Sequence, residues 1–261
     1  MNFIKKQLMG DDNYVTFEPI EHKYTTKDGQ HLISVSQLIS LFSPKFDPDG
    51  SILRKKAAER GIPPEELKKE WDKKKDDSCI FGTAFHKSAE HFIETGKVLK
   101  DDNEKLVKAL KKKVKFKGKV FSEQLLYNPD FLIAGTTDVV EYFEDDNSIG
   151  VWDFKTNGWA NGKPLEKYSI FKNRMLPPLS HKFSTQFYKY TLQLSLYAWM
   201  LEEKGYWIKN LTLLHIRHND IDIHSVPYCR EDIIKILEYY KNGMKPPKKI
   251  FSPWIKTARQ K

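Results

Sequence analysis

Apolar residues in this chain recur with two spacings, and the change between them predicts the elements. Near the start, Val15–Phe17, Lys23–Thr26 and His31–Val35 alternate over short runs, and Asp28-Gly29 supplies a hairpin turn, so short strands are expected. Ser36 reads as the cap of a helix containing Leu38, Ile39 and Phe42 that stops at Pro44. From Ser51 to about Lys75 the spacing is helical, charged nearly all round and broken at Gly61-Ile62-Pro63-Pro64. Phe81, Phe85, Ala89 and Phe92 predict a helix from about Asp77 to Thr95, closed by Gly96, and another covers roughly Asp102 to Lys113. The period then changes from 3.6 to 2. Val120–Tyr127, Phe131–Phe143 and Ile149–Phe154 read as strands of an antiparallel meander, with turns at Asn128-Pro129-Asp130 and Asp145-Asp146-Asn147.

Residues 156–183, with two glycines and three prolines, form a long irregular insertion, a length that in a compact domain usually carries function or motion. A strong helix follows from Thr185 to about Lys204. Strands are expected at Leu211–His215 and Ile221–Val226, then a helix over Glu231–Asn242 and a basic, proline-containing tail. This order predicts an α/β protein with a mixed central sheet, an antiparallel three-strand meander and flanking helices. With no internal repeat or low-complexity linker, 1–261 reads as one domain: an N-terminal elaboration (1–76), a core (77–228) and a C-terminal helix with its tail (229–261).

Composition narrows the class. A chain of 261 residues, 39% apolar and 13% aromatic, can bury a full core and is neither disordered nor collagen-like. Cys79 and Cys229 are too few for a disulfide framework or a four-cysteine zinc or iron–sulfur site. Leu192–Leu201 is too short and too polar to cross a bilayer, and MNFIKKQLMGDD lacks the pattern of a signal peptide, so a cytoplasmic protein with no membrane partner is expected. Against 35 Asp+Glu stand 44 Lys+Arg, a net charge of +9. Eight lysines and no acid fall between Lys105 and Lys119, which favours a polyanionic partner, nucleic acid first.

Candidate chemistry lies on the meander. In Val151-Trp152-Asp153-Phe154-Lys155, alternation puts Val151, Asp153 and Lys155 on one face. Pairing across the turn near Asp145–Asn147 brings Asp138 opposite the region of Asp153. Two converging carboxylates repel one another unless a cation lies between them, and oxygen donors suit Mg²⁺ or Mn²⁺. Lys155 could then orient or deprotonate an attacking water, or neutralise transition-state charge. On the Asp77–Thr95 helix, Gly82, His86 and Glu90 share a face, and Gln193 and Tyr197 do so on a later one.

Taken in order, Gly82-xxx-His86, Asp138 in GTTDVV, Asp153-x-Lys155 in WDFKT and Gln193-xxx-Tyr197 resemble the PD-(D/E)xK nuclease superfamily, in particular its RecB-type exonuclease branch, to which phage recombination nucleases are similar. The match runs from about Ile80 to Met200; D-x-K alone is unspecific, whereas the four-part series is specific. The resemblance implies a restriction-endonuclease-like core and a Mg²⁺- or Mn²⁺-dependent nuclease without an iron–sulfur cluster. It implies Asp138, Asp153 and the Phe154 backbone carbonyl as metal ligands, His86 as a contact to the metal or its water, and Lys155 as the catalytic lysine. Gln193 and Tyr197 would position Lys155 and the strand. Glu123 is a candidate extension of the acidic cluster, and Lys111, Lys112 and Lys113 are candidates for holding DNA. The implied activity is an exonuclease at DNA ends in recombination, repair or phage DNA processing, with recombination or replication proteins as possible partners. The same residues also allow a structure-specific endonuclease or a non-cleaving nucleic-acid-binding module.

Overall fold

The structure, a computed structural model, describes residues 14–18, 21, 23–46, 50–157, 165, 173–218, 220–243 and 250–251. Its strands are β1 (Val15–Glu18), β2 (Lys23–Thr26), β3 (His31–Ser34), β4 (Lys45–Phe46), β5 (Lys119–Asn128), β6 (Ile133–Phe143), β7 (Ser148–Lys155), β8 (Trp207–Ile216), β9 (Ile221–Val226) and β10 (Ile250–Phe251). Its helices are α1 (Val35–Leu41), α2 (Ser51–Arg60), α3 (Pro64–Thr95), α4 (Glu104–Lys113), α5 (Gln186–Glu202) and α6 (Arg230–Lys241). The fold is α/β. Eight strands make one mixed sheet in the order β1-β2-β3-β6-β7-β8-β9, with β5 paired to β6 as well; β4 and β10 form a separate parallel pair.

The meander forms as its alternation predicts: β5 with β6 and β6 with β7 are antiparallel. β8 then lies parallel to β7, so the chain needs a crossover, and α5 lies within it. Successive side chains of β6 and β7 feed two cores on opposite faces. Val140 and Val151 join residues of α1, α5 and α6, whereas Val139 and Phe154 pack with Phe85 and Ala89 of α3 and Leu106, Val107 and Leu110 of α4.

Two helix boundaries differ from the pattern-based expectation. The charged stretch ending near Lys75 and the apolar-faced helix starting near Asp77 are one helix of 32 residues, α3. No glycine or proline interrupts Glu65–Phe81, and Lys73 bonds Asp77 at 2.8 Å across the expected break. Only the face changes, because the second half packs on the sheet while the first meets mainly α2 through Leu53, Ala57 and Leu67. The cap of α1 is Ser34 rather than Ser36: Ser34 Oγ accepts the Gln37 amide and Gln37 Oε1 accepts the Ser34 amide, each at 3.2 Å. Half of the 156–183 insertion, and the tail apart from Ile250–Phe251, lie outside the described residues. Among those described, no helix is long and apolar enough to cross a membrane.

Candidate metal centre

The sheet forks at β6. This strand pairs with β3 at Ile133 and Ala134 and with β7 from Val139 onward, while β5 occupies its other edge, so Gly135–Asp138 face the gap between β3 and β7. Past Trp152, β7 stays with β8 and parts from β6. The amide of Phe154 is taken instead by a side chain, donating to Asp138 Oδ2 at 2.5 Å. From the other face, α3 brings His86, whose Nδ1 lies 3.2 Å from Asp138 Oδ1. That approach depends on Gly82, one turn earlier, where an added Cβ would come to 3.0 Å from Thr156 Oγ1 just past the end of β7.

Glu123 faces Asp138 from β5, between the Ser122↔Val139 and Gln124↔Thr137 rungs. Its φ of +46° is left-handed, which costs a non-glycine residue about 1 kcal/mol or more and re-aims its side chain out of the strand's alternation. Ligand atoms of His86, Glu123 and Asp138 consequently lie within 4.8 Å of one another. Asp153, 2% exposed, stands behind them: Lys155 Nζ is 2.6 Å from its Oδ2, and Gln193 Nε2 donates to its Oδ1 at 3.4 Å and to Tyr197 Oη at 3.2 Å. Lys155 Nζ also lies 5.0 Å from the centre of the Tyr190 ring.

Charge is strongly coupled here. Burial pushes Glu123 up to about 7, and the neighbouring Asp138 carboxylate adds to the push. Burial likewise raises Asp153 to about 6; Lys155 opposes this and Asp138 reinforces it. Burial would raise Asp138 too, but His86, Lys155 and the Phe154 amide outweigh it and hold this carboxyl below its ordinary value. For His86 and Lys155, burial disfavours the charged form, yet their carboxylate partners win and raise both. The site therefore contains more carboxylates than its own cations fully compensate.

That donor set fits a divalent cation. Two carboxylates and an imidazole converge, and Asp153 Oδ2, though close to Lys155 Nζ, accepts no well-directed hydrogen bond despite its burial. Carboxylate oxygens suit Mg²⁺ or Mn²⁺, and the imidazole tilts the set towards a first-row metal such as Mn²⁺. The residues expected as ligands thus separate into a converging group of His86, Glu123 and Asp138, and Asp153, which is engaged with Lys155 and Gln193. Of Phe154, it is the amide that the hydrogen bonds tie to the site.

A cleft of about 690 Å³ opens over the centre, lined in part by His86, Glu123, Asp138, Lys155, Gln193 and Tyr197. Its far wall, Phe17 and Tyr24 from the N-terminal hairpin with Ser34 and Ser36, escaped the pattern reading. Tyr190 escaped it as well, although its spacing to Gln193 and Tyr197 (i, i+3, i+7) was a usable signal. Lys111–Lys113 do not line this cleft. They end α4, where positive charge favours the helix dipole; Lys111 donates to the Gly96 carbonyl at 3.4 Å, and Lys113 pairs with Asp220 at 2.5 Å. Of the aromatic residues near the insertion, Trp159, Tyr168 and Phe171 lie outside the described residues, and Phe187 packs edge-on against His224, with ring centroids 5.7 Å apart.

No family model matches this chain, and no curated protein does. Among solved structures, one described as "Crystal structure of SSO0001" is similar over 82% of this chain and 76% of that one, at 14% sequence identity and a TM-score of 0.37.

Proposed function

We propose that this chain is a divalent-metal-dependent phosphodiesterase that cuts DNA, acting as an exonuclease at DNA ends in recombination, repair or phage DNA processing. The observation that carries this reading is the convergence of His86, Glu123 and Asp138 at the sheet fork, with Lys155 lining the same cleft. The four-part sequence pattern and the net charge of +9 support it independently.

His86, Glu123 and Asp138 would hold the cation. When bound, it supplies charge against the phosphodiester and makes water more acidic. Lys155, kept charged by Asp153, is placed to hydrogen-bond a phosphate oxygen or the attacking water, and offsets negative charge that grows in the transition state. Gln193 fixes Asp153 and thereby the lysine. Tyr197 braces Gln193 from within the core.

Digestion of end-labelled linear DNA beside closed circles, in EDTA, Mg²⁺ or Mn²⁺ and with Lys155→Ala in parallel, tests the reading. Metal-dependent loss of linear DNA with circles spared, absent in Lys155→Ala, is expected. Nicked circles would make the enzyme an endonuclease, and intact DNA under every condition would remove the phosphodiesterase reading.

A further inference from the structure

The ion pair beside the metal centre is reached from a single helix. Lys155 Nζ lies 2.6 Å from Asp153 Oδ2, yet that oxygen accepts no well-directed hydrogen bond, so Asp153 attracts the ammonium without fixing its direction. An ammonium carries three donors at the end of a flexible stem, and attraction alone leaves it free to swivel. A second contact limits that freedom. Lys155 Nζ stands over the ring of Tyr190, 5.0 Å from its centre. Tyr190 is on α5, three residues before Gln193, which donates to the other oxygen of Asp153, Oδ1. One face of α5 therefore reaches both members of the pair, the acid through Gln193 and the base through Tyr190.

The nature of that second contact decides what the lysine can still do. A carboxylate or carbonyl in its place would take an N–H outright, whereas a ring face attracts the cation through its quadrupole and leaves the donors uncommitted. Burial raises the Tyr190 phenol, so the ring stays neutral and does not become another anionic partner. Lys155 keeps 17% of its side chain exposed, and it lines the cleft together with Tyr190. We propose that Tyr190 is a positioning residue: its ring face, and not its hydroxyl, holds the Lys155 ammonium against Asp153 with an N–H turned to the cleft, where the scissile phosphate or the attacking water would lie. This deepens the phosphodiesterase reading and rests on it.

The test compares wild type, Tyr190→Phe and Tyr190→Leu by two readouts. Cleavage of end-labelled DNA in Mn²⁺ gives kcat and KM per folded molecule, with melting temperatures taken in parallel. NMR of metal-free protein labelled at lysine Cε follows the Lys155 protons, assigned by their loss in Lys155→Arg; protons over a ring face are shifted upfield by its ring current. Wild type and Tyr190→Phe are expected to share the upfield shift and the same kcat. Tyr190→Leu, apolar but without a ring, should lose the shift and lower kcat roughly three- to thirtyfold with KM little changed. A role in packing alone would instead lower the melting temperature of Tyr190→Leu and leave its kcat intact. If Tyr190→Leu keeps the wild-type kcat, if Tyr190→Phe loses as much as Tyr190→Leu, or if Lys155 shows no upfield shift in the wild type, this inference falls while the phosphodiesterase reading stands on wild-type cleavage. If the wild type cuts DNA under no condition, both fall together.

Discussion

Glu123 shows how much of this site is decided by one backbone torsion. Its position opposite Asp138 follows from strand register, but its aim follows from a φ of +46°, which no residue pattern announces; the sequence therefore marks it only as a candidate. Asp138, Asp153 and Lys155 were legible because two-residue alternation and a short turn leave little freedom in register. The titration of Glu123 gives a signed prediction. The folded chain holds that proton to about pH 7, whereas the unfolded chain releases it near the ordinary 4.5. The folded state binds more protons in that window, so metal-free protein should lose stability as pH rises from about 4.5 to 7 and level off above. Asp153 adds a similar loss between its ordinary 3.8 and about 6. A bound cation removes the penalty, so the rise in melting temperature caused by Mn²⁺ should grow across the same interval. Glu123→Gln should flatten the upper part of the metal-free curve and shrink the Mn²⁺ effect at pH 8. Melting curves from pH 5 to 8 with and without Mn²⁺ check both, and a metal effect independent of pH would refute the cluster as the binding site. Lys155→Ala should lower cleavage by about a hundredfold or more while Mn²⁺ still raises the melting temperature.

At the level of elements, the site depends on close approach between α5, β6 and β7. Gly135 on β6 leaves room for Tyr197: an added Cβ would lie 2.8 Å from the Tyr197 ring and 2.9 Å from Val35. Gly135→Ala should cost about 1–3 kcal/mol in chemical denaturation and weaken cleavage through the displaced Tyr197–Gln193 pair. An unchanged stability would mean that α5 can shift without strain. Phe85, fully buried between α3 and the sheet, sets the depth of the neighbouring His86. Phe85→Ala should cost about 3–5 kcal/mol, read in the same experiment. The helices, the meander and the later strands could be read from periodicity, since each is set by local alternation. The docking of the N-terminal hairpin could not. It depends on a parallel pairing of Ile33 with Ile133, and neither strand advertises a partner so far along the chain.

Across the whole molecule, the proposed function asks the surface charge to hold a polyanion. The net charge of +9 predicts binding that weakens steeply with salt. The centre itself is acidic, so the favourable charge must come from elsewhere on the surface. Changing Lys111, Lys112 and Lys113 together to alanine should reduce the slope of log affinity against log salt by up to about 2 for a single strand. Titrations at several ionic strengths measure it, and an unchanged slope would leave these lysines as helix-end and ion-pair residues only.

The unbroken length of α3 also has a practical use. Cys79 is exposed on this helix, seven residues before His86, which is about 10 Å along the axis and on one rigid rod with it. Cys229 is only partly exposed, and burial raises its thiol pKa, which slows its reaction with alkylating reagents. A fluorophore or spin label should therefore attach preferentially at Cys79 in the native chain. Without any engineered cysteine, it would report distances from a fixed point beside the cleft to a labelled DNA end or a paramagnetic Mn²⁺.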